Sequence, residues 1–536
     1  MSDAGGRSWL RDAIIYEIYP QSFADSNGDG IGDLPGAIAR LDYLEWLGID
    51  TVWFNPCFAS PFVDAGYDVS DYLRVAPRYG TNDDLVSFMR AAADRGIRVL
   101  LDLVVGHTSV EHAWFTEELL RPAGAHPAER YIWTTNEERR EDVGVLGSTS
   151  WVPSPGPRPG YYLKNFFDEQ PALNFGYARM RDDEPWRQPV DAPGPQLNRQ
   201  SLREIMAFWL DRGASGFRVD MAFSLVKDDE GLIETTRLWR DMRAWLETQY
   251  PEAVLIPEGV EPLTGSAPAF DADFFLVISE EHSRLFNNGG AGRLPLVEPA
   301  SCFFDADGAG STEAFLRGWR EVRAARPDHP IIVATADHDF SRLVCGTRDA
   351  EQVGAALTFL LTWGSIPSIY YGDEIGMPYR PGLPEIEGSI CHPGYYNRAG
   401  ARTPMQWDDG ANAGFSSAPP EALYLPVDPS PDRATVSAQI DDPASTLNLL
   451  RRLIRLRRQH RVLGASHDAE VVNEGYPFAY LRGGTHLIVL NPRREPARYP
   501  LRGAVVAGDL LSSGVALGED AIDLEGFGYG VFIIEG

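Results

Sequence analysis

Short apolar runs alternate with amphipathic helical patterns along most of the chain. The apolar runs predict strands at 13–19, 50–55, 98–105, 216–221, 253–258, 273–279, 330–335 and 367–371. Their near-continuous apolar character is typical of parallel strands that are covered on both faces. Helical periodicity predicts helices most clearly at 35–47, 82–95, 199–212, 311–325, 350–363 and 445–460. Eight strand–helix units predict an α/β fold, a (β/α)8 TIM barrel.

Three segments depart from this rhythm. Residues 106–197, rich in Pro, Gly and aromatic residues, separate the third strand from its helix, and so long a connection is typical of an inserted domain. A second long connection, at 373–444, follows the eighth strand. From 461 onward, short alternating patterns predict antiparallel strands. The predicted domains are a catalytic barrel (domain A) at 1–105 and 198–460, an inserted loop-rich domain B at 106–197, and a C-terminal β-sandwich domain C at 461–536.

The composition narrows the function classes. The chain has 536 residues, of which 44% are hydrophobic, so it can bury a large core. Its net charge of −29 disfavours binding to nucleic acid and to anionic membrane surfaces, because like charges repel. We therefore expect a soluble protein that acts on neutral small molecules, with neither nucleic acid nor membrane as a partner. The oligomeric state stays open.

The cysteines and the start of the chain favour a cytoplasmic protein. The four cysteines, at 57, 302, 345 and 391, are isolated and lack the spacing of a zinc site. They predict reduced thiols rather than a disulfide framework. The N-terminal residues lack the basic start and apolar core of a signal peptide. Thr, Ser, Gly and Pro interrupt the longest apolar stretch, 356–372, so no membrane span is expected.

Acidic residues fall at or just beyond the carboxyl ends of several predicted strands, where barrel enzymes build their active sites. They are Asp102, Asp220, Glu258, Asp337 and Asp339. His107 and His338 stand beside members of this set in the sequence. Crowded like charges cost free energy, so a convergence of carboxylates from distant strands indicates a function.

Glycoside hydrolysis is a chemistry that needs paired carboxylates. One acid is protonated to assist the leaving oxygen, while the other attacks the sugar carbon or stabilises positive charge there. Arg218 lies two residues before Asp220, so strand alternation places both side chains on one face, inside the barrel. A guanidinium there is expected to keep Asp220 ionised and oriented, as a nucleophile requires. Glu258 then has to carry the proton of the general acid.

Ordered motifs give the chain a resemblance to a known family. They are, in chain order, IYEIYPQSFADSNGDGIGDLPG, GYDVSDY, DLVVGHTS, GFRVD, the glutamate of strand five, HD after strand seven, and RTPMQW. Each motif is weak alone, but together they resemble glycoside hydrolase family 13, the α-amylase superfamily, nearly from end to end. The chain is similar to the α-glucosidase and oligo-1,6-glucosidase branch in particular, with trehalose synthase as a close relative.

The resemblance implies a retaining double displacement. Asp220 would be the nucleophile, Glu258 the general acid/base, and Asp339 the third carboxylate, which stabilises the transition state. The other residues of the implied sugar subsite are His107, Arg218 and His338, with Tyr67 stacked beneath the terminal glucose and Asp68 and Arg402 on its outer hydroxyls. A closed pocket of this kind implies exo action on short oligosaccharides or α-glucosides. In retaining enzymes the two carboxyl groups lie about 5–5.5 Å apart.

The acidic loop DSNGDGIGD has the spacing of a calcium loop. Its oxygen donors are Asp25, Asn27, Asp29, the Ile31 carbonyl and Asp33, and Gly30 permits the sharp turn. The resemblance implies a structural Ca²⁺ or Mg²⁺ in this loop, away from catalysis. The alternative is an acidic turn that binds nothing tightly. No organic cofactor is expected.

Four residues depart from the family pattern. Gly106 and Asp337 stand where asparagines are usual, Ala172 replaces an aspartate used to predict α-1,6 preference, and Pro257 replaces a small residue. These changes spare the three catalytic positions, so activity is still expected, but the linkage preference stays open. If Asp337 faces the sugar, its charge raises the pKa of neighbouring acids or favours a cationic substrate. If it faces a loop, it does neither.

The outcome of the reaction is also open at this point. We expect a retaining α-glucosidase that hydrolyses terminal α-linked glucose. An isomerase such as trehalose synthase, or an α-glucosyltransferase, differs in whether water or a sugar hydroxyl takes the glucosyl group, which depends on water exclusion. A catalytically inactive homologue that binds a sugar or a partner is a further alternative. The complete set of Asp220, Glu258 and Asp339 disfavours it.

Overall fold

The structure, a computed structural model, describes residues 7–122, 129–136, 151–259, 269–286, 302–346, 348–391 and 396–535. The chain divides into two compact units, each discontinuous in sequence. Unit 1 comprises Met1–Arg7, Trp53–Phe274 and Glu385–Pro393, and unit 2 comprises Ser8–Val52, Phe275–Pro384 and Gly394–Gly536. Parts of the predicted domain B, at 123–128 and 137–150, lie outside the described residues.

The strands and helices are numbered in chain order. The strands are β1 (Ile15–Ile18), β2 (Thr51–Phe54), β3 (Phe58–Ala59), β4 (Asp71–Val75), β5 (Arg98–Val104), β6 (Trp133–Thr134), β7 (Trp151–Pro153), β8 (Tyr161–Leu163), β9 (Gly216–Asp220), β10 (Val254–Pro257), β11 (Asp273–Phe275), β12 (Ile331–Ala334), β13 (Ile366–Tyr370), β14 (Ala469–Asn473), β15 (Phe478–Arg482), β16 (His486–Leu490), β17 (Ala497–Pro500), β18 (Val505–Leu517) and β19 (Ala521–Glu535). The α-helices are α1 (Leu34–Ala39), α2 (Leu41–Leu47), α3 (Asn82–Ala93), α4 (Ala113–Leu119), α5 (Pro193–Leu210), α6 (Ile233–Gln249), α7 (Glu280–Phe286), α8 (Glu313–Ala325), α9 (Val353–Thr362), α10 (Val436–Gln439) and α11 (Thr446–Gln459).

All eight predicted barrel strands are present, as β1, β2, β5 and β9–β13, and they belong to one eight-stranded sheet. In unit 1, β9 pairs in parallel with β5 and with β10. In unit 2, β13 pairs in parallel with β1 and with β12. Every residue of β1, β2, β9, β10 and β13 is buried, as expected of strands covered on both faces.

The predicted helices are present as α1–α2, α3, α5, α8, α9 and α11. The segment at 35–47, predicted as one helix, is α1 followed by α2, because Arg40 leaves helical geometry with φ −103° and ψ 1°. Helix α6 is missing from the sequence prediction. It buries Thr235, Thr236 and Arg243 beside its apolar residues, and this weakens the apolar periodicity on which the prediction depends.

Three smaller sheets lie outside the parallel one among the described residues, and the smallest is the antiparallel pair of β3 and β4. Within 106–197, β6, β8 and β7 form an antiparallel sheet, with a buried core of Ile132, Trp151, Leu163, Ala172 and Tyr177. At the C-terminus, β14–β19 form an antiparallel sheet in the order β14-β15-β16-β19-β17, with β18 paired to β19. The predicted C-terminal antiparallel β domain is confirmed, while the boundaries of the three domains stay predictions.

The thiols and the helices add two findings. Burial raises the pKa of the Cys57 and Cys302 thiols to about 12, so they carry no thiolate at neutral pH. None of the four cysteines is disulfide-bonded. In the described ranges, no helix is both long enough and apolar enough to cross a membrane.

A buried carboxylate joins three elements of unit 2. Glu374, just after β13, accepts hydrogen bonds from the hydroxyls of Tyr16 in β1 (2.8 Å) and Tyr43 in α2 (2.9 Å). Its second oxygen accepts the N–H of Gly372 at 2.6 Å. Burial raises the pKa of Glu374 to about 7, because the charged form loses its hydration.

Replacing this carboxyl group is expected to reduce the pH dependence of stability. The folded protein holds the Glu374 proton up to about pH 7, whereas the unfolded chain releases it near 4.5, so stability falls as pH rises between these values. The fall contributes at most about 3 kcal/mol. Glu374→Gln cannot titrate, so its free energy of unfolding in urea should change less between about pH 5 and 8 than that of the parent. Equal changes in both proteins would contradict this.

Candidate active site

Strand register in unit 1 gathers the predicted acids. In the parallel pair of β5 and β9, Asp102 lies opposite Arg218. On the other side of β9, Ile256 lies opposite Arg218, so Glu258, two residues further on, lies beside Asp220. Because side chains alternate along a strand, Arg218 and Asp220 project to the same face, as the sequence predicts.

One guanidinium contacts three carboxylates at this point. Arg218 Nη1 lies 2.9 Å from Asp102 Oδ1 and 3.1 Å from Asp220 Oδ1. Its Nη2 lies 2.9 Å from Glu258 Oε1. Arg218, Asp102 and Asp220 are buried, so water screens these ion pairs little. The structure therefore brings the predicted nucleophile, acid/base and arginine together.

Asp102 holds the guanidinium in place from strand β5. Its Oδ2 accepts hydrogen bonds from the Trp53 indole (3.1 Å) and the Tyr67 hydroxyl (3.0 Å), while Oδ1 binds Arg218. The rings of Trp53 and Tyr67 also lie 5.2 and 5.8 Å from the guanidinium. Both oxygens of Asp102 are thus bound by protein groups, which identifies Asp102 as the partner of Arg218 rather than a group for the substrate.

The electrostatics of this cluster favour retention of a proton. Three carboxylates around one guanidinium leave two negative charges when all are ionised. Burial, and then the neighbouring Glu258, raise the pKa of Asp220 well above its usual range, although Arg218 opposes this. Burial likewise raises the pKa of Asp102. Arg218 contacts Asp220 as predicted, but burial and the Glu258 carboxylate outweigh its effect on the pKa of Asp220.

The chain turns sharply after the predicted nucleophile. Met221 has a φ of 42°, a left-handed conformation that is uncommon for any residue other than glycine. In this conformation its N–H donates to Glu258 Oε2 at 3.1 Å. The N–H of Glu258 in turn donates to the Val219 carbonyl at 2.8 Å. The turn therefore fixes the Glu258 carboxylate beside Asp220.

His107 and Tyr67, both predicted to line the sugar subsite, contact each other. His107 Nε2 lies 3.1 Å from the Tyr67 carbonyl, and Nδ1 lies 3.1 Å from Asn165 Nδ2. Burial lowers the pKa of His107 to about 3, and the nearby Lys227 contributes to this, so the ring is neutral. The Tyr67 hydroxyl connects this pair to Asp102.

Asp68 organises the loop that precedes β4. Its carboxylate accepts hydrogen bonds from the Ser60 hydroxyl (2.8 Å) and from the N–H groups of Val63 (2.8 Å) and Asp64 (3.1 Å). Burial, and then the Asp64 carboxylate, raise the pKa of Asp68 to about 6. Its contact with a sugar hydroxyl stays a prediction.

In unit 2, the third predicted carboxylate lies among cationic groups. Arg398 Nη1 (2.7 Å) and Arg402 Nη2 (3.0 Å) both contact Asp339 Oδ1. His338 Nε2 lies 3.5 Å from Asp339 Oδ2, and His338 Nδ1 lies 2.7 Å from Glu17 Oε1. Arg402 Nε also donates to the His338 carbonyl at 2.8 Å. The structure therefore places three predicted residues, His338, Asp339 and Arg402, together in this unit.

The chain matches the model of a known protein family over most of its length. The model of the α-amylase catalytic domain matches residues 17–272 and 319–466 of the chain. The chain belongs to the α-amylase family. The predicted fold class, a (β/α)8 barrel with a C-terminal antiparallel β domain, is thereby confirmed. The predicted class of enzyme, the glycoside hydrolases of the α-amylase family, is confirmed as well.

Relatives in the α-amylase family have differing activities. The trehalose synthase/amylase of Mycolicibacterium smegmatis is 32% identical over 491 residues, covering 84% of this chain and 77% of that protein. The oligo-1,6-glucosidase of Parageobacillus thermoglucosidasius is 31% identical over 540 residues, covering 90% of each. The trehalulose synthase MutB from Pseudomonas mesoacidophila has a solved structure with a TM-score of 0.80 at 26% identity, covering 99% of this chain and 100% of that one. An inactive double mutant of MutB is solved with isomaltulose.

Two departures from the α-amylase family pattern have structural explanations. Ala172 is fully buried against Leu163 and Tyr177, so it serves the apolar core of the small sheet. Pro257 cannot donate a hydrogen bond, but the N–H of Glu258, the next residue, is the one that faces β9. Because N–H directions alternate along a strand, the proline nitrogen faces away from β9 and no ladder bond is lost.

The predicted metal loop is closed by its own hydrogen bonds. Asp25 accepts three N–H groups of the loop at 2.8–3.0 Å, Asn27 accepts the N–H of Asp29, and Asp29 accepts that of Ile31, both at 2.9 Å. Asp33 instead caps α1, with a 2.6 Å bond from the first turn. Among the described residues, no group of three or more His, Cys, Asp or Glu side chains is placed to hold a metal. Metal binding by the five predicted donors of this loop stays a prediction.

Glu17, Asn165 and Arg398 are among the residues of the two clusters that are missing from the sequence prediction. Glu17 offers a signal, since an acid in the middle of a buried apolar strand needs a partner. Arg398 lies four residues before Arg402 and carries no separate signal. Asn165 lies in an irregular segment, where periodicity indicates nothing about the direction of a side chain.

The structure gives Asp337 a turn-forming role. Its Oδ1 accepts the N–H of Asp339 at 3.0 Å, and an asparagine oxygen can accept the same bond. Asp337→Asn is therefore expected to keep kcat/KM for an aryl α-glucoside within about twofold of the parent, with the same pH–rate profile. A displaced limb of that profile would show that the charge of Asp337 acts on the catalytic acids.

Proposed function

We propose that the protein is a retaining, exo-acting α-glucosidase that hydrolyses terminal α-linked glucose from short oligosaccharides or α-glucosides. The observation that carries this proposal is the contact of the buried Arg218 guanidinium with both Asp220 and Glu258. The Asp220 side chain is 8% exposed and that of Glu258 is 23% exposed. A buried nucleophile beside a more accessible acid suits double displacement at a sugar carbon.

In the proposed reaction, Glu258 is the general acid that assists bond cleavage. A carboxylate oxygen of Asp220 attacks the anomeric carbon while Glu258 gives its proton to the departing glycosidic oxygen, so a glucosyl ester forms as the C–O bond breaks. Glu258, now a carboxylate, then takes a proton from water, whose oxygen attacks the same carbon and releases Asp220. Arg218 contacts both carboxylates and offsets the negative charge that passes between them.

The subsite for one terminal glucose follows from the family resemblance. Tyr67 and Asp68 are buried in unit 1, and His338 and Arg402 are buried in unit 2. We assign Tyr67 to the face of the sugar ring, and Asp68 and Arg402 to its outer hydroxyls. Asp339 is assigned the role of the third carboxylate, and its two arginine contacts support a fixed anion there.

Isomerisation or glucosyl transfer is the second candidate function. The trehalose synthase of a Pimelobacter species is 32% identical to the chain over 496 residues, about as similar as the oligo-1,6-glucosidase at 31%. In such a reaction a sugar hydroxyl replaces water as the acceptor of the glucosyl group. Both candidates therefore use the same nucleophile and acid, and they differ in the acceptor.

A panel of disaccharides separates the candidates. The parent is expected to release glucose from at least one of maltose, isomaltose, nigerose, kojibiose, trehalose and sucrose. Trehalose formed from maltose would favour the second candidate, and binding without any turnover would favour an inactive homologue.

Asp220→Asn should lower kcat by roughly 10³-fold or more, because the amide is a poor nucleophile. Asp337→Asn is its matched control, and near-normal kcat in Asp220→Asn would refute the assigned nucleophile.

We also propose that the loop at 25–33 binds a structural Ca²⁺ or Mg²⁺, on the strength of its D-x-N-x-D-G spacing. Calcium at about 1 mM is then expected to raise the Tm of chelator-treated parent protein by a few degrees. Asp29→Ala should abolish the rise, because Asp29 is an exposed donor of the proposed set. An unchanged Tm in the parent would contradict a metal in this loop.

A further inference from the structure

The glycine before His107 leaves a space that Asn165 fills. A Cβ atom on Gly106 would lie 2.5 Å from Asn165 Nδ2 and 2.5 Å from Ser224 Oγ, closer than non-bonded atoms approach. Asn165 belongs to the segment between β8 and α5 and is 7% exposed. Its amide therefore reaches His107 from a distant part of unit 1, through room that exists because residue 106 has no side chain.

The Tyr67 carbonyl and the Lys227 ammonium together determine which atoms donate and which accept in the hydrogen bonds of His107 and Asn165. The Tyr67 carbonyl can only accept, so His107 Nε2 carries the proton. In a neutral ring Nδ1 then has a lone pair, which accepts from Asn165 Nδ2. The Lys227 ammonium can only donate, and it lies 3.2 Å from Asn165 Oδ1. The hydrogen bonds to His107 and to Lys227 thus require the same orientation of the Asn165 amide, with Nδ2 toward the histidine and Oδ1 toward the lysine.

These hydrogen bonds continue from His107 to the cluster that Arg218 forms with Asp102, Asp220 and Glu258 in the candidate active site. The Tyr67 carbonyl accepts from His107, and the Tyr67 hydroxyl donates to Asp102, which binds Arg218. A displaced or differently protonated His107 therefore changes the position of the tyrosine on which Asp102 depends.

We infer that Asn165 is a positioning residue for the proposed α-glucosidase reaction. Held by Lys227, its amide keeps His107 in the Nε2-protonated tautomer and so fixes Tyr67 against Asp102. The inference rests on the proposed function, since it assigns a part in that reaction. It concerns a residue that acts through His107 rather than on the sugar.

Asn165→Asp tests the inference with a side chain of the same size. A carboxylate cannot donate to His107 Nδ1, and it is expected to draw a proton onto that nitrogen despite the opposing charge of Lys227. ¹⁵N spectra of histidine-labelled protein, with ten histidines, should then lose the unprotonated-nitrogen signal of His107 near neutral pH. For an aryl α-glucoside, kcat/KM should fall about tenfold, mainly through KM, as when an outer partner of an imidazole is removed.

A rescue variant and a matched lysine pair separate positioning from a general loss of structure. Asn165→Gly should lower kcat/KM to a similar extent. Adding Gly106→Asn to Asn165→Gly supplies an amide from the side of residue 106, with room if the Ser224 hydroxyl rotates. The double variant should recover most of the lost kcat/KM.

The chain has two lysines, so Lys227→Met, which is expected to lower kcat/KM, has Lys164→Met as its control. Lys164 pairs with Asp168 at 2.6 Å, and its loss should leave kcat/KM unchanged.

The spectra and the kinetics give distinguishable failures. A parent-like His107 spectrum in Asn165→Asp would overturn the inference. So would a changed spectrum with kcat/KM within about twofold of the parent. A parent without α-glucosidase activity would count against the proposed function, while the spectra would still support or overturn the tautomer assigned to His107.

Discussion

Without the guanidinium of Arg218, three carboxylates would crowd one another in a buried site. Uncompensated buried charges cost several kcal/mol each, so Asp102, Asp220 and Glu258 all depend on this one cation for compensation of their charge. The strands β5, β9 and β10 supply these residues in register. Strand pairing and the chemistry of the site are therefore set by the same contacts. A change in the register of β9 by one residue would turn Arg218 to the opposite face.

In unit 2, the predicted third carboxylate has two guanidinium partners instead of a shared one. Asp339 meets two guanidinium groups on one oxygen, and His338, bonded to Glu17, approaches the other. Asp339 thus has two guanidinium partners of its own, whereas the three carboxylates of unit 1 share a single guanidinium.

The parallel strands could be predicted from sequence because strands buried on both faces are apolar at nearly every position. The common face of Arg218 and Asp220 followed from alternation, a property of any strand. What could not be predicted depended on the arrangement of distant segments. The raised pKa of Asp220 arises from burial and from Glu258, and the partner of His107 is Asn165, about sixty residues away in an irregular segment. Neither relation leaves a periodic trace in the sequence.

The left-handed backbone conformation of Met221 affects which substitutions this position can accept during evolution. Such a conformation costs on the order of 1 kcal/mol or more in a residue with a side chain, and glycine or asparagine would relieve it. Selection for heat resistance alone would therefore favour those residues beside the nucleophile. A flexible glycine there would loosen the N–H that holds Glu258. A glycine at this position is therefore expected to relieve backbone strain while it holds the Glu258 carboxylate less firmly.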